Sequence, residues 1–347
     1  MTAKGWFKSS LLILFLLLPA GAAEIDEQIV LDLALPMPGS LVICGGGDVP
    51  DSVMLRFIEL AGGTAARIVF IPTAAEGADT DEQDEDLEFF QAQPLGSLTV
   101  LHTRDRQRAD DPVFLRPLET ATGVWLGGGC QRLLVDVYQG TGVEQGLRRL
   151  FQRGGAIGGI SAGAAVMSPV MIRGGFGEPE TGPGFGLLPG TIIDQHFLVR
   201  RRQDRLLRVL ADNPGLVGIG IDEGTALIVE GSRLSVMGKS CVVTCLPAST
   251  DWPEEVSQLQ PGDEADLARL VRSASIRSQP RRPAADVVEA AKTTTLALAE
   301  TPKPAATPAS VNAKTATVKP SPVARQQRTV ASPRPVKPAT PRWRSIR

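Results

Sequence analysis

Gly158-Gly159-Ile160-Ser161-Ala162-Gly163-Ala164 closes the apolar run Ala156–Ile160 and opens the alanine-rich run Ala162–Met167. A serine therefore stands where a strand gives way to a helix, inside a Gly-x-Ser-x-Gly motif. A sharp turn at such a junction pushes the serine into a strained, exposed position. Only small neighbours avoid collision with the strand on one side and the helix on the other. A helix beginning just beyond Ser161 aims free N–H groups and the positive end of its dipole at negative charge developing near the hydroxyl. The stretch predicts a nucleophile elbow with Ser161 as the nucleophile.

The chain on either side repeats one pattern. Short runs rich in Val, Ile and Leu (Leu41–Cys44, Arg67–Ile71, Leu98–His102, Gly123–Leu126, Ala156–Ile160) are separated by amphipathic stretches, the longest at Gln131–Gln152. Buried strands divided by helices predict an α/β fold with a mostly parallel sheet and helices on both faces. Further on, Thr225–Val229 and Arg233–Met237 flank Glu230-Gly231 as a hairpin, Cys241–Leu246 is another strand, and Asp263–Arg272 reads as the last helix.

A serine hydroxyl needs a base, and the chain has two histidines. His102 ends the third strand. His196 ends the apolar run Ile192-Ile193-Asp194-Gln195, where a sheet's carboxyl edge would present it, and is the better candidate. A carboxylate must then fix the imidazole tautomer. Gly220-Ile221-Asp222-Glu223-Gly224 ends another strand with two carboxylates, and alternation along the strand leaves both open.

Taken together, Leu126-Gly127-Gly128-Gly129-Cys130-Gln131, Gly159-Ile160-Ser161-Ala162-Gly163-Ala164, Asp194-Gln195-His196-Phe197 with Arg200, Arg202 and Arg205, and Gly220-Ile221-Asp222-Glu223 resemble cyanophycinase. That group belongs with the serine peptidases that include aspartyl dipeptidase (peptidase E), and the likeness runs from about Leu41 to Val229. The resemblance implies a fold like that of class I glutamine amidotransferases and a triad of Ser161, His196 and Glu223. It implies exopeptidase action on the polymer of Asp carrying Arg on its side-chain carboxyl, releasing β-Asp-Arg dipeptides. Gln131, Asp194, Gln195, Arg200, Arg202 and Arg205 would line the substrate site, with Asp194 free to pair with a guanidinium. Backbone N–H groups of Gly128, Gly129 and Ala162 would hold the oxyanion. Arginines at spacings of two and three do not share one helical face. The stretch between Ser161 and His196 is shorter than in the familiar enzymes and forms a pocket wall. An isoaspartyl or N-terminal-Asp dipeptidase is the rival enzyme, favoured if the pocket lacks a site for Arg. A non-catalytic protein binding an envelope polymer is the rival from another class.

The ends of the chain read differently from its middle. Lys4 and Lys8, the apolar run Leu11–Leu18 and the small residues Ala20-Gly21-Ala22-Ala23 predict an exported protein with a signal peptide at 1–23. The apolar run is short for a retained span. The catalytic domain is expected at 24–277 and a disordered, basic, Pro/Ala-rich tail at 278–347. The formal net charge of −2 divides into +10 beyond Glu300 and −12 before it, so the pI of about 5.9 describes neither part. No nucleic-acid partner is expected, and a homodimer stays open. Four cysteines make no disulfide framework in 347 residues. Cys241 and Cys245, about 13 Å apart along a strand, are too far apart to bridge. Two histidines give little support for zinc, and a serine mechanism requires no metal or organic cofactor.

Overall fold

The computed structural model describes residues 37–80, 84–175 and 178–279. The expected signal peptide and the tail from residue 280 lie outside the described residues. The strands are β1 (Ser40–Cys44), β2 (Arg67–Ile71), β3 (Ser97–Val100), β4 (Gly123–Leu126), β5 (Ala156–Ile160), β6 (Val170–Gly174), β7 (Glu180–Pro183), β8 (Thr191–Gln195), β9 (Val217–Ile221), β10 (Thr225–Glu230), β11 (Arg233–Gly238), β12 (Val242–Leu246), β13 (Glu255–Leu259) and β14 (Glu264–Asp266). The helices are α1 (Asp51–Leu60), α2 (Glu85–Gln91), α3 (Pro112–Thr120), α4 (Gln131–Tyr138), α5 (Gly142–Gln152), α6 (Ala162–Ala165), α7 (Gln203–Asp212) and α8 (Leu267–Ser278).

The main sheet runs β14-β11-β10-β1-β5-β4-β2-β3, parallel from β1 through β3 and antiparallel from β1 to β14. Its central parallel strands β1, β2, β4 and β5 are buried on both faces, which is why they read as continuous apolar runs, whereas β3 at the edge is partly exposed. Leu41 and Ile43 face a core shared with Leu134 of α4 and Leu147 of α5, while Val42 and Cys44 face Phe57 of α1 and Phe90 of α2. A second sheet, β13-β12-β9-β8, carries β8 and β9 as its parallel pair, and α7 packs on it through Leu206, Val209 and Leu210. The small β6–β7 hairpin stands alone as a third sheet. The class I glutamine amidotransferase-like α/β architecture is thus present, with its active edge shared between two sheets.

The third strand ends at Val100, two residues before His102, and three larger boundaries differ from the sequence expectation. The segment Gln131–Gln152 is two helices: the chain turns extended at Gln139 and takes φ 73 at Gly140 before the second begins at Gly142. The last helix begins at Leu267, with Asp266 accepting from the Arg269 N–H as its N-cap; Glu264–Asp266 pairs with β11 instead. The helix after Ser161 is a single turn, Ala162–Ala165.

β5 sits between β1 and β4, and its glycines explain themselves by space. A Cβ on Gly158 would lie 2.2 Å from Trp125, whose ring is fully buried and packed edge-on against Phe57 and Phe90 at 5.0 and 5.5 Å. A Cβ on Gly163 would lie 2.2 Å from the Leu126 carbonyl oxygen. Overfilling a packed interior costs about 1–3 kcal/mol. Gly158→Ala is therefore expected to lower unfolding free energy by at least about 1–3 kcal/mol in a denaturant titration; an unchanged midpoint would contradict the tight packing of β5 on Trp125.

Candidate active site

Ser161 follows β5 directly and has φ 51, a left-handed conformation that a non-glycine residue rarely adopts. Its own N–H is bound to the Cys44 carbonyl at 3.0 Å, which locks the turn onto the neighbouring strand β1. His196 follows β8, has φ 49, and binds the Gly45 carbonyl through its N–H at 2.7 Å. Ser161 Oγ lies 2.8 Å from His196 Nε2, and His196 Nδ1 lies 2.5 Å from Glu223 Oε1. With its proton on Nδ1, held by the carboxylate, the imidazole presents Nε2 as an acceptor to the serine hydroxyl.

The turn Gly45-Gly46-Gly47 after β1 makes room for this line of contacts. A Cβ on Gly46 would come within 2.3 Å of the His196 ring, and one on Gly47 within 2.9 Å of the Glu223 side chain. Both glycines also have positive φ, 103 and 68. In the sequence, the run of three glycines after an apolar strand is the available signal for this close approach.

The two carboxylates separate cleanly. Asp222 is buried, its Oδ1 accepting from the Leu198 and Val199 N–H groups at 3.0 and 3.1 Å and its Oδ2 from Ser240 at 2.8 Å. It therefore holds the loop that leaves His196. His102 belongs to another network altogether, between Thr73 Oγ1 at 2.8 Å and Asp79 at 2.9 Å.

At the far side of Ser161, the Gly127 and Cys130 N–H groups bind the carbonyls of Ile71 and Ala74. Those of Gly128 and Gly129, between them, have no backbone acceptor among the described residues. A Cβ on Gly128 would sit 3.9 Å from the Ser161 Cβ, so this turn lies against the serine. Ala162 opens the turn of helix after Ser161, where a first-turn N–H has no intrahelical acceptor, so both segments retain backbone donors.

A cavity of about 550 Å³ opens beside Ser161, lined by Gly129, Cys130, Gln131, Gln195 and five arginines: Arg173, Arg200, Arg201, Arg202 and Arg205. The expected arginines converge because Arg200 and Arg202 precede α7, so the spacing argument for one helical face does not apply to them. Arg173 and Arg201 went unnoticed in the sequence. Asp194 departs from its expected place on the pocket surface. It is fully buried, paired with Arg202 at 3.3 Å and bidentately with Arg205. Burial pushes its pKa up, against the pull of Arg205 and Arg202. Gln195 accepts from Arg202 through its side chain at 2.6 Å. Gln131 reaches the cavity, but its amide N–H groups donate to the Ile172 and Arg173 carbonyls at 2.9 and 3.3 Å. All four cysteines are free, and no group of His, Cys, Asp and Glu among the described residues is arranged to hold a metal ion.

Comparison with known proteins now decides the family. The profile of Peptidase family S51 matches residues 41–237, more than half of the chain. The chain belongs to peptidase family S51. It is 34% identical over 215 residues to a cyanophycinase of Geminocystis herdmanii, covering 58% of this chain and 79% of that protein. A cyanophycinase of Trichormus variabilis is 36% identical over 229 residues, covering 62% and 76%. A peptidase E of Streptomyces coelicolor is 28% identical over 188 residues, covering 50% and 72%. The crystal structure of a peptidase from an acI-B1 actinobacterium superposes with a TM-score of 0.50 at 26% identity, covering 66% of this chain and 96% of that one. As an S51 member the chain is a serine-type peptidase with cyanophycinase-like and peptidase E-like relatives.

Two measurements follow for this S51 site. Burial lowers the His196 pKa, Glu223 raising it and Arg200 lowering it further. The neutral, proton-accepting imidazole thus persists to lower pH than usual, and the acid limb of kcat/KM should fall below the ordinary histidine value of about 6.5. A limb above that value would contradict His196 as the titrating base. Glu223→Gln should lower kcat on the order of 10⁴-fold, by analogy with loss of the carboxylate in a serine protease triad. Asp222→Asn keeps an oxygen acceptor for Leu198 and Val199 and should cost at most about tenfold. The reverse ranking, with circular dichroism unchanged, would reassign the carboxylate.

Proposed function

We propose that this protein is an exported serine exopeptidase that hydrolyses the Asp–Arg polymer or related β-aspartyl peptides through Ser161, His196 and Glu223. The observation that carries the reading is the continuous Ser161–His196–Glu223 contact opening onto an arginine-walled pocket. In the reaction, Ser161 Oγ attacks the scissile carbonyl as His196 Nε2 takes its proton. The Ala162 N–H and the Gly128–Gly129 turn stabilise the tetrahedral oxyanion. Collapse breaks the C–N bond, and His196 returns the proton to the leaving amine. Water then attacks the acyl-enzyme with His196 again as base, and release of the acid restores the serine. Glu223 holds the imidazole tautomer and stabilises the imidazolium in both halves.

The likenesses to the Geminocystis herdmanii and Trichormus variabilis cyanophycinases support the polymer as substrate, since each covers more than three quarters of the relative. One feature favours the dipeptidase reading: among the described residues no Asp or Glu lines the cavity, and Asp194 is sealed beneath Arg202 and Arg205. A pocket of this charge suits the aspartyl carboxylates and offers a substrate guanidinium no counter-ion. Export rests on the Lys4, Lys8, Leu11–Leu18 and Ala20–Ala23 pattern.

The purified protein is to be incubated with insoluble Asp–Arg polymer and with a panel of β-aspartyl and α-aspartyl dipeptides, with product masses measured. Release of β-Asp-Arg is expected, and Ser161→Ala should reduce it by about 10³-fold or more. Cleavage of dipeptides without attack on the polymer would replace this reading with the dipeptidase.

A further inference from the structure

Arg173 lies outside every motif considered above, yet it reaches the same cavity as Arg200–Arg205 from a different element, β6. Its surroundings hold it from three directions. Its backbone carbonyl, with that of Ile172, accepts from the Gln131 amide. Its guanidinium Nη2 donates to Asp136 at 3.1 Å. Its stem lies over Gly182 of the facing strand β7, where a Cβ would come within 2.5 Å of the Arg173 Cδ. Gln131 and Asp136 are both on α4, so one helix grips the residue at its backbone and at its charged end. That helix starts directly after the Gly128–Gly129 turn beside Ser161, so the position of Arg173 is set relative to the donors that would meet the scissile carbonyl.

The charges in the pocket divide unevenly. Arg202 and Arg205 share the fully buried Asp194 beneath them. Arg173 pairs instead with Asp136, a largely exposed carboxylate at 60% side-chain exposure. An ion pair this exposed contributes little and is easily shared with a second anion. Its Nε and Nη1 have no hydrogen-bond partner among the described residues. A guanidinium fixed in place with donors to spare is a receptor for a carboxylate, which it meets with a planar, two-point fork.

We propose that Arg173 is a specificity-determining residue that receives the free terminal carboxylate of an acidic peptide, and that Gln131 is a positioning residue acting through it. This rests on the proposed peptidase reaction at Ser161. It accounts for exopeptidase action: a chain continuing past that carboxylate would lack the anion that the fork requires. It also gives the β6–β7 wall a purpose distinct from that of the Arg200–Arg205 segment.

The test uses the full-length enzyme and two soluble Asp–Arg oligomers that differ only in a free or an amidated C-terminal carboxyl. The quantity read is the ratio of kcat/KM for the acid to that for the amide. A fluorophosphonate reports separately on the reactivity of Ser161. Arg173→Ala is expected to lower the ratio by at least about tenfold, the effect of losing one charge-assisted hydrogen bond. The change should come through KM on the acid, with fluorophosphonate labelling unchanged. Arg173→Lys, which retains stem and charge but not the fork, should recover part of the preference. Gln131→Leu should lower the ratio in the same direction. An unchanged ratio in Arg173→Ala, with labelling intact, overturns the role of Arg173 and leaves the proposed function standing. A wild-type protein that neither labels nor cleaves either oligomer removes both.

Discussion

A serine held in a left-handed backbone conformation at the end of a central strand is the constraint on which the rest of this molecule depends. At φ 51, Ser161 cannot relax without breaking its N–H bond to the Cys44 carbonyl and leaving the edge where β1 and β5 end together. Strain of this kind persists only where the surroundings over-determine it. Here they do so by close approach: Gly163 against the Leu126 carbonyl, Gly159 against Gly163, and Gly158 against Trp125. The small residues around the serine are consequences of the turn, and the buried aromatic cluster beneath holds the strand that carries it.

His196 repeats the device on the second sheet. It too has positive φ, and it too is tied by its N–H to the end of β1, through Gly45. The main sheet supplies the serine and the second sheet supplies the base and, after β9, both carboxylates. The glycine turn after β1 lies between them as the common support. Its lack of side chains lets the His196 ring and the Glu223 side chain approach to van der Waals contact with backbone. The active edge is thus a seam between two sheets rather than the rim of one.

Around that seam the electrostatics run in one direction. Burial lowers the His196 pKa and so favours the neutral imidazole, with Arg200 and Arg202 adding to the shift and Glu223 opposing it. Burial also lowers the pKa of Arg202, with Asp194 opposing and Arg205 and Arg200 adding to the shift. Crowded guanidinium groups over one sealed carboxylate leave a surplus of positive charge in the cavity. An anionic substrate would relieve it, as the proposed aspartyl peptides would.

The turn that carries Ser161, the parallel core and a histidine at a sheet edge were legible in the sequence because each is written locally. An elbow needs small residues within two or three positions of the serine, buried parallel strands need continuous apolar runs, and a base at a sheet edge needs a strand before it. Glu223 came from family resemblance; the residues alone left Asp222 equally eligible. What separates these two neighbours is contact with segments distant in the chain: Leu198, Val199 and Ser240 for Asp222, and the His196 ring for Glu223. The same holds for Asp194, whose polar side chain looked available until Arg202 and Arg205 folded over it, and for Arg173, which gains meaning only when β6 meets α4. Local backbone geometry is encoded in neighbouring residues, whereas the partner of a charge is chosen by the approach of remote strands, and only the tertiary structure brings those together.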